Sequence, residues 1–383
     1  MSSQNEMLWE SGRLRLERPG KGQRDLRAWD AADPQLVEQA MVQLDAVRSE
    51  SQVNPRVAIV DDSFGALTLA LGQYGPISVA DSALLQPSVT INARLNSLEV
   101  PEIADWRMPP DGCFDIIVLK IPRQVDYLEY LLRWVNAHLA PNGRLIAGGM
   151  IKHLPDRCAQ LFEALMGSNE PLRARQKARV ILSQRGTATL DDWDGLWRGY
   201  TLSGGVGPVK ALPAVFARER LDIGSREFLP YVVSAIESLP DGARVLDLGC
   251  GNGVLGLSAL AARDDIRVTF ADVSSQAVAS AEQNCYDSGF GERSRFHHTD
   301  AVPVGERYDL ILCNPPFHEG GAVGDHIALR MFRQSAKALS GQGQLLVVGN
   351  RHLGYHVKLR NTFRQVQQLA SSPKFVVFAC RHR

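Results

Sequence analysis

The chain has 383 residues, more than one hydrophobic core usually organises, and this length predicts two domains. Hydrophobic residues make up 45% and charged residues 22%, a balance that excludes disordered and fibrous proteins. Lysine plus arginine and aspartate plus glutamate both number 42, so a nucleic-acid surface would have to come from local clusters of charge.

The sequence lacks the features of exported and membrane-bound proteins. It shows neither a charged-then-apolar signal segment nor an apolar run long enough to cross a bilayer. Its six cysteines are scattered without C-x-x-C spacing, and its nine histidines form no ligand constellation, which argues against disulfides and a metal site. We therefore expect a cytoplasmic protein with reduced thiols, no membrane partner and no metal.

The first predicted elements are a helix and a buried strand. Asp33-Pro34 predicts an N-cap followed by proline at the first helical position, and apolar residues then recur on one helix face. Arg56–Val60 predicts a strand that leads through Gly65 into another helix.

Landmarks of this first half return in the same order in the second half. The corresponding pairs are Arg56–Val60 with Arg244–Leu248, Gly65 with Gly253, Ala80-Asp81 with Ala271-Asp272, Phe114–Ile117 with Tyr308–Ile311, and Leu139–Gly143 with Leu339–Gly343. Strands that alternate with helices predict an α/β fold with a doubly wound, mainly parallel sheet. The recurrence predicts that this fold is duplicated.

A run of basic residues precedes the end of the first half. Its members, at a spacing of two beside Val180–Leu182, are Arg173, Arg175, Lys177 and Arg179. On a strand these side chains would share one face and could lie along RNA phosphates. Protection of an edge strand by charge is an equally weighted alternative. Lys120 and Arg123 would add positive charge to the same domain.

The segment Gln184–Gly207 separates the two halves. Its glycines, aspartates and tryptophans predict a linker and a hairpin that turns at Ser203-Gly204-Gly205. We place the boundary near residue 190, which gives domains 1–190 and 191–383.

The second half opens with a glycine-rich turn between a strand and a helix. The turn contains Gly249, Cys250, Gly251, Asn252 and Gly253. Its backbone can pass close to a ligand, and the helix N-terminus favours an anionic group. Gly251–Gly256 also satisfies G-x-G-x-x-G with Asp272 downstream, so the turn alone does not separate a dehydrogenase from a methyltransferase.

Acidic residues around this turn favour S-adenosylmethionine. Asp247 can face the ammonium of a methionine tail, whereas it would repel a pyrophosphate. Asp272 can accept from ribose hydroxyls, and Asp300 from the adenine amino group. Their neighbours Val273 and Ala301 complete the predicted cofactor site. A helix cap or turn role is the alternative for each aspartate.

The tetrapeptide Asn314-Pro315-Pro316-Phe317 follows the next buried strand. An exocyclic amine of a base is a poor nucleophile because its lone pair is delocalised into the ring. The Asn314 side-chain oxygen and the Pro315 carbonyl can each accept one N–H, while Pro316 stiffens the turn. Phe317 can stack on a flipped base. A rigid turn with a core phenylalanine is the alternative.

A second basic cluster follows the last strand of the parallel set. It contains Arg351, His352, His356, Lys358 and Arg360, of which we predict Arg351, His352 and Lys358 to contact RNA. A solvated helix face is the alternative.

These residues together resemble the bacterial large-subunit ribosomal RNA guanine-N2 methyltransferase family. The resemblance spans the chain, from Ala28–Asp33 and Asp62–Leu67 to Asn314–His318 and Asn350–Leu353. It implies tandem class I, Rossmann-like methyltransferase-type domains, the first degenerate and the second catalytic. It also implies that Phe216–Gly224 lies over the cofactor pocket, which makes Phe216 and Asp222 weaker site candidates. Arg220 departs from the glycine that these families more often carry.

The first half lacks the chemistry of the second. Its turn reads Asp61-Asp62-Ser63-Phe64-Gly65, whose charge and bulk would block a cofactor, and Lys120 replaces Asn314. We therefore expect a monomeric enzyme that methylates the N2 amine of a guanine in 23S rRNA, free or in a large-subunit assembly intermediate. Guanine in 16S rRNA, DNA adenine and protein glutamine are alternative amine substrates. A non-catalytic RNA-binding protein is a further alternative.

Overall fold

The computed structural model describes residues 5–20, 26–51, 53–108, 110–191, 193–316, 318–319, 322–323 and 325–382. The chain divides into two compact units, Met1–Leu196 and Trp197–Arg383. The sequence placed this boundary near residue 190.

The first unit is an α/β sheet covered by helices. Its described elements are β1 Glu6–Trp9, β2 Gly12–Arg15, α1 Ala32–Ser51, β3 Val57–Val60, α2 Ala66–Ala70, β4 Ile77–Val79, α3 Leu85–Asn96, β5 Glu102–Ala104, β6 Phe114–Lys120, α4 Val125–His138, β7 Leu139–Met150, α5 Asp156–Leu165, β8 Ser168–Pro171 and β9 Ala178–Gln184. Its main sheet has the order β5-β4-β3-β6-β7-β9-β8. The first five strands of this order run parallel to one another. Strand β9 is antiparallel to both of its neighbours, β7 and β8.

The second unit repeats this plan after a hairpin. Its described elements are β10 Arg198–Leu202, β11 Gly207–Ala211, α6 Ile223–Glu237, β12 Arg244–Leu248, α7 Val254–Ala262, β13 Arg267–Asp272, α8 Ser275–Asp287, β14 Ser294–His298, β15 Tyr308–Cys313, β16 His318–Glu319, β17 Ala322–Val323, α9 Asp325–Ala338, β18 Leu339–Asn350, α10 Tyr355–Arg360, β19 Gln365–Ser371 and β20 Phe375–Arg381. Its main sheet has the order β14-β13-β12-β15-β18-β20-β19. The matching orders confirm the predicted duplicated doubly wound fold.

The central strands of the second sheet are buried on both faces. Leu310 and Leu312 of β15 pack on the side of Phe228, whereas Ile311 and Cys313 pack on the side of Phe332. Parallel sheets covered by helices on both faces require such continuous apolar strands. Each fully buried large apolar side chain stabilises the fold by about 1.5–3 kcal/mol.

The turns that follow β3 and β12 have the same backbone conformation at their first and last residues. Gly65 and Gly253 have φ angles of 83° and 85°, and Asp61 has the positive φ of 62° that Gly249 adopts at 75°. The Asp61 amide donates to the Val79 carbonyl as the Gly249 amide donates to Ala271. Val79 therefore corresponds to Ala271, and Ala80 corresponds to Asp272. The predicted match of Asp81 with Asp272 is wrong by one residue, because hydrogen-bond register rather than the Ala-Asp dipeptide sets the equivalence.

Helix α1 begins at Ala32, two residues before Pro34, which was the predicted first helical residue. Asp33 therefore lies in the first turn, and the prediction that it is the N-cap is wrong. The Asp33 carboxylate accepts the Asp30 amide at 2.6 Å, and the Asp30 carboxylate accepts the Ala32 amide at 2.8 Å. Asp30 thus takes the capping role, which leaves Asp33 available for another partner.

The basic run before β9 does not form one strand face. Strand β9 begins only at Ala178, and the preceding Gln176 and Lys177 have φ angles of 48° and 61°. This left-handed turn breaks the alternation of side chains, so the predicted four-residue strand stripe is wrong. The side chains of the run are nevertheless exposed, and Arg175 forms an ion pair with Glu38.

Candidate active site

The glycine turn between β12 and α7 leaves open space beside its backbone. Gly249 and Gly251 have φ angles of 75° and 54°. A Cβ atom added to Gly251 would meet no atom of the described residues within 4 Å, whereas one added to Gly256 would lie 2.3 Å from the Phe270 ring. Gly256 therefore allows the helix to pack on the sheet, while the turn glycines leave room for a ligand.

Asp272 stands at the end of β13 and is held by this turn. One carboxylate oxygen accepts the Gly251 amide at 2.9 Å, and the other accepts the Ser274 amide at 2.9 Å. A carboxylate oxygen can accept more than one hydrogen bond, so Asp272 is of a type that can also bind ligand hydroxyls. Its fixed position fits the predicted contact with a ribose.

Asp247 lies beneath the turn rather than in the open space. Its side chain is fully buried, and its Oδ2 accepts the Gly256 amide at 2.9 Å. Its Oδ1 has no hydrogen-bond partner among the described residues. Burial raises the pKa of Asp247 to about 8, although the Gly256 hydrogen bond opposes the shift. The predicted contact with the methionine ammonium stays a prediction.

Two other turn residues connect to neighbouring elements. Asn252 donates through Nδ2 to the Tyr200 hydroxyl at 3.2 Å, and its carbonyl accepts from Asn284 at 2.9 Å. Cys250 is buried, and burial raises the pKa of its thiol well above the usual range. No sequence motif identifies Tyr200 or Asn284.

The predicted adenine side of the pocket contains an ion pair. Asp300 accepts from the Arg330 guanidinium at 2.7 Å, and both side chains are about one quarter exposed. Arg330 on α9 was not predicted, because nothing in a helical sequence shows which loop its side chain reaches. Val273 is 37% exposed beside Asp272, and Ala301 is half-buried. Apolar surface beside anchored carboxylates suits an adenosine group.

Asn314 follows β15 directly, and the two polar atoms of its side-chain amide differ in their partners. Its Nδ2 donates to the Ser225 hydroxyl at 3.0 Å and lies 3.4 Å from the Asp222 carboxylate. Its Oδ1 is buried and has no partner among the described residues. Because a carboxylate can only accept, Asp222 orients the amide with its oxygen away from α6.

Asp222 has a second role at the start of α6. Its Oδ2 accepts the Ser225 amide at 3.0 Å, which makes it the N-cap of the helix. Beyond Asn314, Pro315 is buried and Pro316 is exposed. The predicted stacking residue Phe317 lies outside the described residues.

Phe216 lies in the segment that leads to Asp222. Its side chain is 66% exposed, and the following Ala217 has a φ of 55°. Arg218 is buried and donates through Nε to the Ala211 carbonyl at 3.0 Å. The predicted contact of Phe216 with the cofactor is not tested by this exposed position.

The equivalent turn of the first unit is closed by its own side chain. The Asp62 carboxylate accepts the Gly65 and Ala66 amides at 3.1 and 3.2 Å and the Thr68 amide at 2.8 Å. An anion belonging to the chain thus occupies the N-terminus of α2, where a ligand anion would bind.

Lys120, at the position equivalent to Asn314, is neutralised. Its ammonium binds Asp30 at 2.7 Å and Asp33 at 2.6 Å. Burial opposes its charge, but the two carboxylates raise the pKa of Lys120 above its ordinary value. The prediction that Lys120 adds charge for RNA is therefore wrong.

The basic cluster after β18 is only partly available. Arg351 and His352 are exposed. Lys358 donates to the Leu353 carbonyl at 2.6 Å, so its ammonium stabilises the preceding turn. The RNA contacts of all three residues stay predictions.

Two searches of the described residues bear on other kinds of site. No described helix combines the length and the apolar character that a bilayer crossing requires. No group of three or more histidine, cysteine, aspartate or glutamate side chains in this part of the chain is arranged to hold a metal ion.

Comparison with known proteins gives matches along most of the chain. Residues 4–187 match the family described as RLMG N-terminal domain, and residues 207–379 match the Methyltransferase small domain. Among solved structures, a T. thermophilus 16S rRNA N2 methyltransferase in complex with AdoMet and guanosine superposes with a TM-score of 0.77 at 22% identity. The superposition covers 99% of this chain and 97% of that one, which shows a shared fold.

Full-length relatives are more similar. The ribosomal RNA large subunit methyltransferase G of Pseudomonas putida strain GB-1 is 38% identical over 381 residues, covering 96% of both chains. That of Alcanivorax borkumensis is 36% identical and covers 97% of this chain and 95% of its own. The identity extends over both repeats, and the chain belongs to the ribosomal RNA large subunit methyltransferase G family.

Proposed function

We propose that the second unit transfers a methyl group from S-adenosylmethionine to the exocyclic N2 amine of one guanine in 23S rRNA. The observation that carries this proposal is the unpartnered, buried Oδ1 of Asn314 at the end of β15. It lies in the crevice at the carboxyl ends of the strands, where ligands of doubly wound sheets bind.

The geometry suits an amine that must be made nucleophilic. The Asn314 oxygen and the Pro315 carbonyl each accept one N–H, which directs the nitrogen lone pair away from both acceptors. The cofactor supplies an electrophilic methyl group on a sulfonium. Catalysis then consists of orientation and hydrogen bonding, and it needs no strong general base.

The residues around the glycine turn hold the cofactor in this proposal. The N-terminus of α7 receives the carboxylate of the methionine moiety. Asp272 accepts the ribose hydroxyls, and Asp300 accepts the adenine amino group while Arg330 keeps it in place. The open space beside Gly251 supports this arrangement.

The first unit holds RNA and does not bind cofactor in this proposal. Asp62 fills the anion position of its turn, and Lys120 replaces the catalytic asparagine. The exposed Arg173, Lys177 and Arg179 supply positive charge that phosphates can approach. The proposed partner is 23S rRNA or a large-subunit intermediate in the cytoplasm, and the enzyme acts as a monomer.

Two similarities support guanine in large-subunit RNA. The full-length relatives carry the name ribosomal RNA large subunit methyltransferase G at 36–38% identity. The solved structure of the same fold was determined with guanosine.

The direct test is transfer of labelled methyl groups to ribosomal RNA from cells that lack this protein. We expect label only in large-subunit RNA, and nucleoside analysis should identify it as N2-methylguanosine. Label in 16S rRNA would move the substrate to the small subunit. Label in adenine or protein alone would refute the guanine assignment.

Replacement of Asn314 by alanine tests the proposed acceptor. We expect Asn314→Ala to lower kcat roughly 100- to 1,000-fold, as the loss of one preorganised hydrogen-bonding group does in other enzymes. Affinity for S-adenosylhomocysteine, measured by calorimetry, should remain nearly unchanged. Asn361→Ala, at an exposed asparagine, is the matched control. Loss of cofactor affinity in Asn314→Ala would contradict the assigned role.

A further inference from the structure

A cavity of about 310 Å³ opens beside the carboxyl end of β18. Its apolar floor is formed by Tyr355, Val376 and Phe378, and its rim includes Asn350 and Gln368. Strand β18 is hydrogen-bonded to β15, the strand that ends at Asn314. The cavity therefore opens at the edge of the sheet that carries the catalytic asparagine, one strand away.

The rim carries polar groups that the fold does not use. They are the side chains of Asn350, Arg351, His356, Gln368 and Ser371. None of these five forms a hydrogen bond or ion pair with another side chain or with backbone in the described ranges. Two amides above an apolar floor combine a stacking surface with donors and acceptors, and a nearby guanidinium can meet a phosphate.

The duplication provides an internal comparison. The position of Asn350 in the first unit is Met150, and that of Arg351 is Ile151, because β7 and β18 end at the same point of the repeat. Strand pairing places Pro171 at the position of Gln368 and Arg179 at that of Val376. The same sheet is thus built without the two amides, with Ile151 in place of Arg351 and with charged Arg179 in place of apolar Val376. These residues are not requirements of the fold.

We propose that this cavity, which we call the flanking-base pocket, binds an unstacked nucleobase next to the target guanine. The proposal rests on the proposed RNA substrate and extends it. Single-stranded RNA is recognised by bases that leave the stack, lie on aromatic or apolar surface and are hydrogen-bonded at their edges. A volume of 310 Å³, at the small end of the roughly 300–1,000 Å³ of ligand pockets, suits one base.

The test combines changes in the protein with changes in the RNA. The probe is the smallest rRNA fragment that the wild-type enzyme methylates, with one abasic nucleotide placed in turn at each position flanking the target guanine. The first variant is Asn350→Met, which introduces the residue found at this position in the first repeat. The second is Gln368→Ala on the exposed β19. Gln365→Ala, an exposed glutamine of the same strand, is the matched control. For each combination of enzyme variant and RNA fragment, single-turnover kinetics give the maximal rate constant and the fragment concentration at half-saturation. The ratio of the first to the second is compared.

We expect one abasic position to lower this ratio about tenfold in the wild type, in line with about 1–3 kcal/mol for a stacked base. The same abasic change should add little further loss in Asn350→Met or Gln368→Ala, because the pocket is already impaired. Gln365→Ala should respond like the wild type. If the abasic nucleotide lowered this ratio by the same factor in every variant as in the wild type, the proposal would be overturned. The absence of any flanking position whose loss lowers the ratio would overturn it as well. Should Asn350→Met fail to fold, Gln368→Ala keeps the test decisive. Failure of the proposed function would look different, since the wild type would then methylate no fragment.

Discussion

At the scale of single residues, the active site depends on which way one amide points. Asparagine oxygen and nitrogen have nearly the same shape, so the hydrogen-bond partners decide the orientation. Asp222 offers only acceptors, and Asn314 Nδ2 lies 3.4 Å from it. The Asn314 oxygen is consequently directed away from α6. Asp222 is therefore a positioning residue for Asn314, besides being the cap of α6.

Two substitutions test this positioning role. The Asp222 Oδ2 that caps α6 is also the atom nearest Asn314 Nδ2, so Asp222→Asn, which keeps one carbonyl oxygen, should leave thermal stability and kcat nearly unchanged. Asp222→Ala removes that acceptor, so it should cost about 1 kcal/mol of stability and lower kcat about tenfold, equivalent to about 1.4 kcal/mol, because Asn314 can then turn its amide. Steady-state kinetics below the unfolding transition and thermal unfolding provide the measurements. A purely structural role predicts instead that Asp222→Ala keeps full kcat wherever it is folded.

Sequence reasoning located the residues of the site better than their partners. The sequence placed the glycine turn and Asn314 at the carboxyl ends of strands in one doubly wound sheet, where ligands bind. It did not predict that Asp300 pairs with Arg330 of α9. Such pairs join residues far apart in the chain, and no local pattern encodes which long side chain reaches which carboxylate.

At the scale of elements, helix α8 shows why polar positions are hard to interpret from sequence. Gln276, Ser280 and Asn284 recur every four residues and are all at least 98% buried. Their side-chain oxygens accept amides from Ala214 at 2.8 Å, Leu212 at 3.0 Å and Lys210 at 3.0 Å. Four helical residues rise about 6 Å and two extended residues about 6.6 Å, so the two spacings match. In the sequence, three polar residues at this spacing look the same as the solvent-exposed face of a helix.

The turn after β3 is the element where the two repeats differ most in electrostatics. Asp61 adopts the left-handed backbone of Gly249, and its carboxylate accepts from the Tyr127 hydroxyl at 3.1 Å. Burial, followed by the nearby Asp81 carboxylate, raises the pKa of Asp61 to about 7. The folded state therefore holds this proton more tightly than the unfolded chain does.

This shift predicts how the stability of the protein depends on pH. A carboxyl whose pKa is raised by folding stabilises the fold at low pH, and that contribution is lost as pH rises from about 4 to about 7. Wild-type stability should therefore fall by roughly 3 kcal/mol over this interval, and we expect Asp61→Asn to abolish that fall. Asparagine tolerates positive φ and can still accept from Tyr127.

Urea unfolding at several pH values measures the difference between wild type and Asp61→Asn. The two curves should coincide near pH 4 and separate as pH rises, with the variant more stable. Asp111→Asn, at an exposed aspartate, should follow the wild type throughout. Parallel curves for Asp61→Asn and wild type would show that Asp61 does not hold a shifted proton.

At the scale of the whole molecule, duplication was predictable because strand and turn landmarks recur in order, and both sheets indeed have equivalent strand orders. The one-residue error at Ala80 arose because a two-letter match carries less information than a hydrogen-bond register. The basic run at Arg173–Arg179 was misassigned because alternation in sequence does not reveal a left-handed turn. Duplication also allows each unit to serve as a control for the other.

The last prediction uses this control to count cofactor sites. If Asp62 closes the turn of the first unit, calorimetry should find one site for S-adenosylhomocysteine per chain. Gly251→Asp introduces into the second turn a charge like the one at Asp62. A Cβ atom there meets no atom of the described residues within 4 Å, and the φ of 54° adds some backbone strain, which aspartate tolerates better than most residues. We expect affinity to fall on the order of 100-fold or more, equivalent to about 2.8 kcal/mol, since the new carboxylate repels that of the ligand.

The matched change is Ser63→Asp, at the position of the first unit that corresponds to Gly251, and it should leave both affinity and stoichiometry unaltered. Thermal unfolding of both variants shows whether the fold is retained. Because Asp62 already occupies the amides at the start of α2, the Gly251→Asp variant should show no second, weaker site for the ligand. Binding that persists in Gly251→Asp and disappears in Ser63→Asp would instead place the cofactor in the first unit and reverse the assignment of the two repeats.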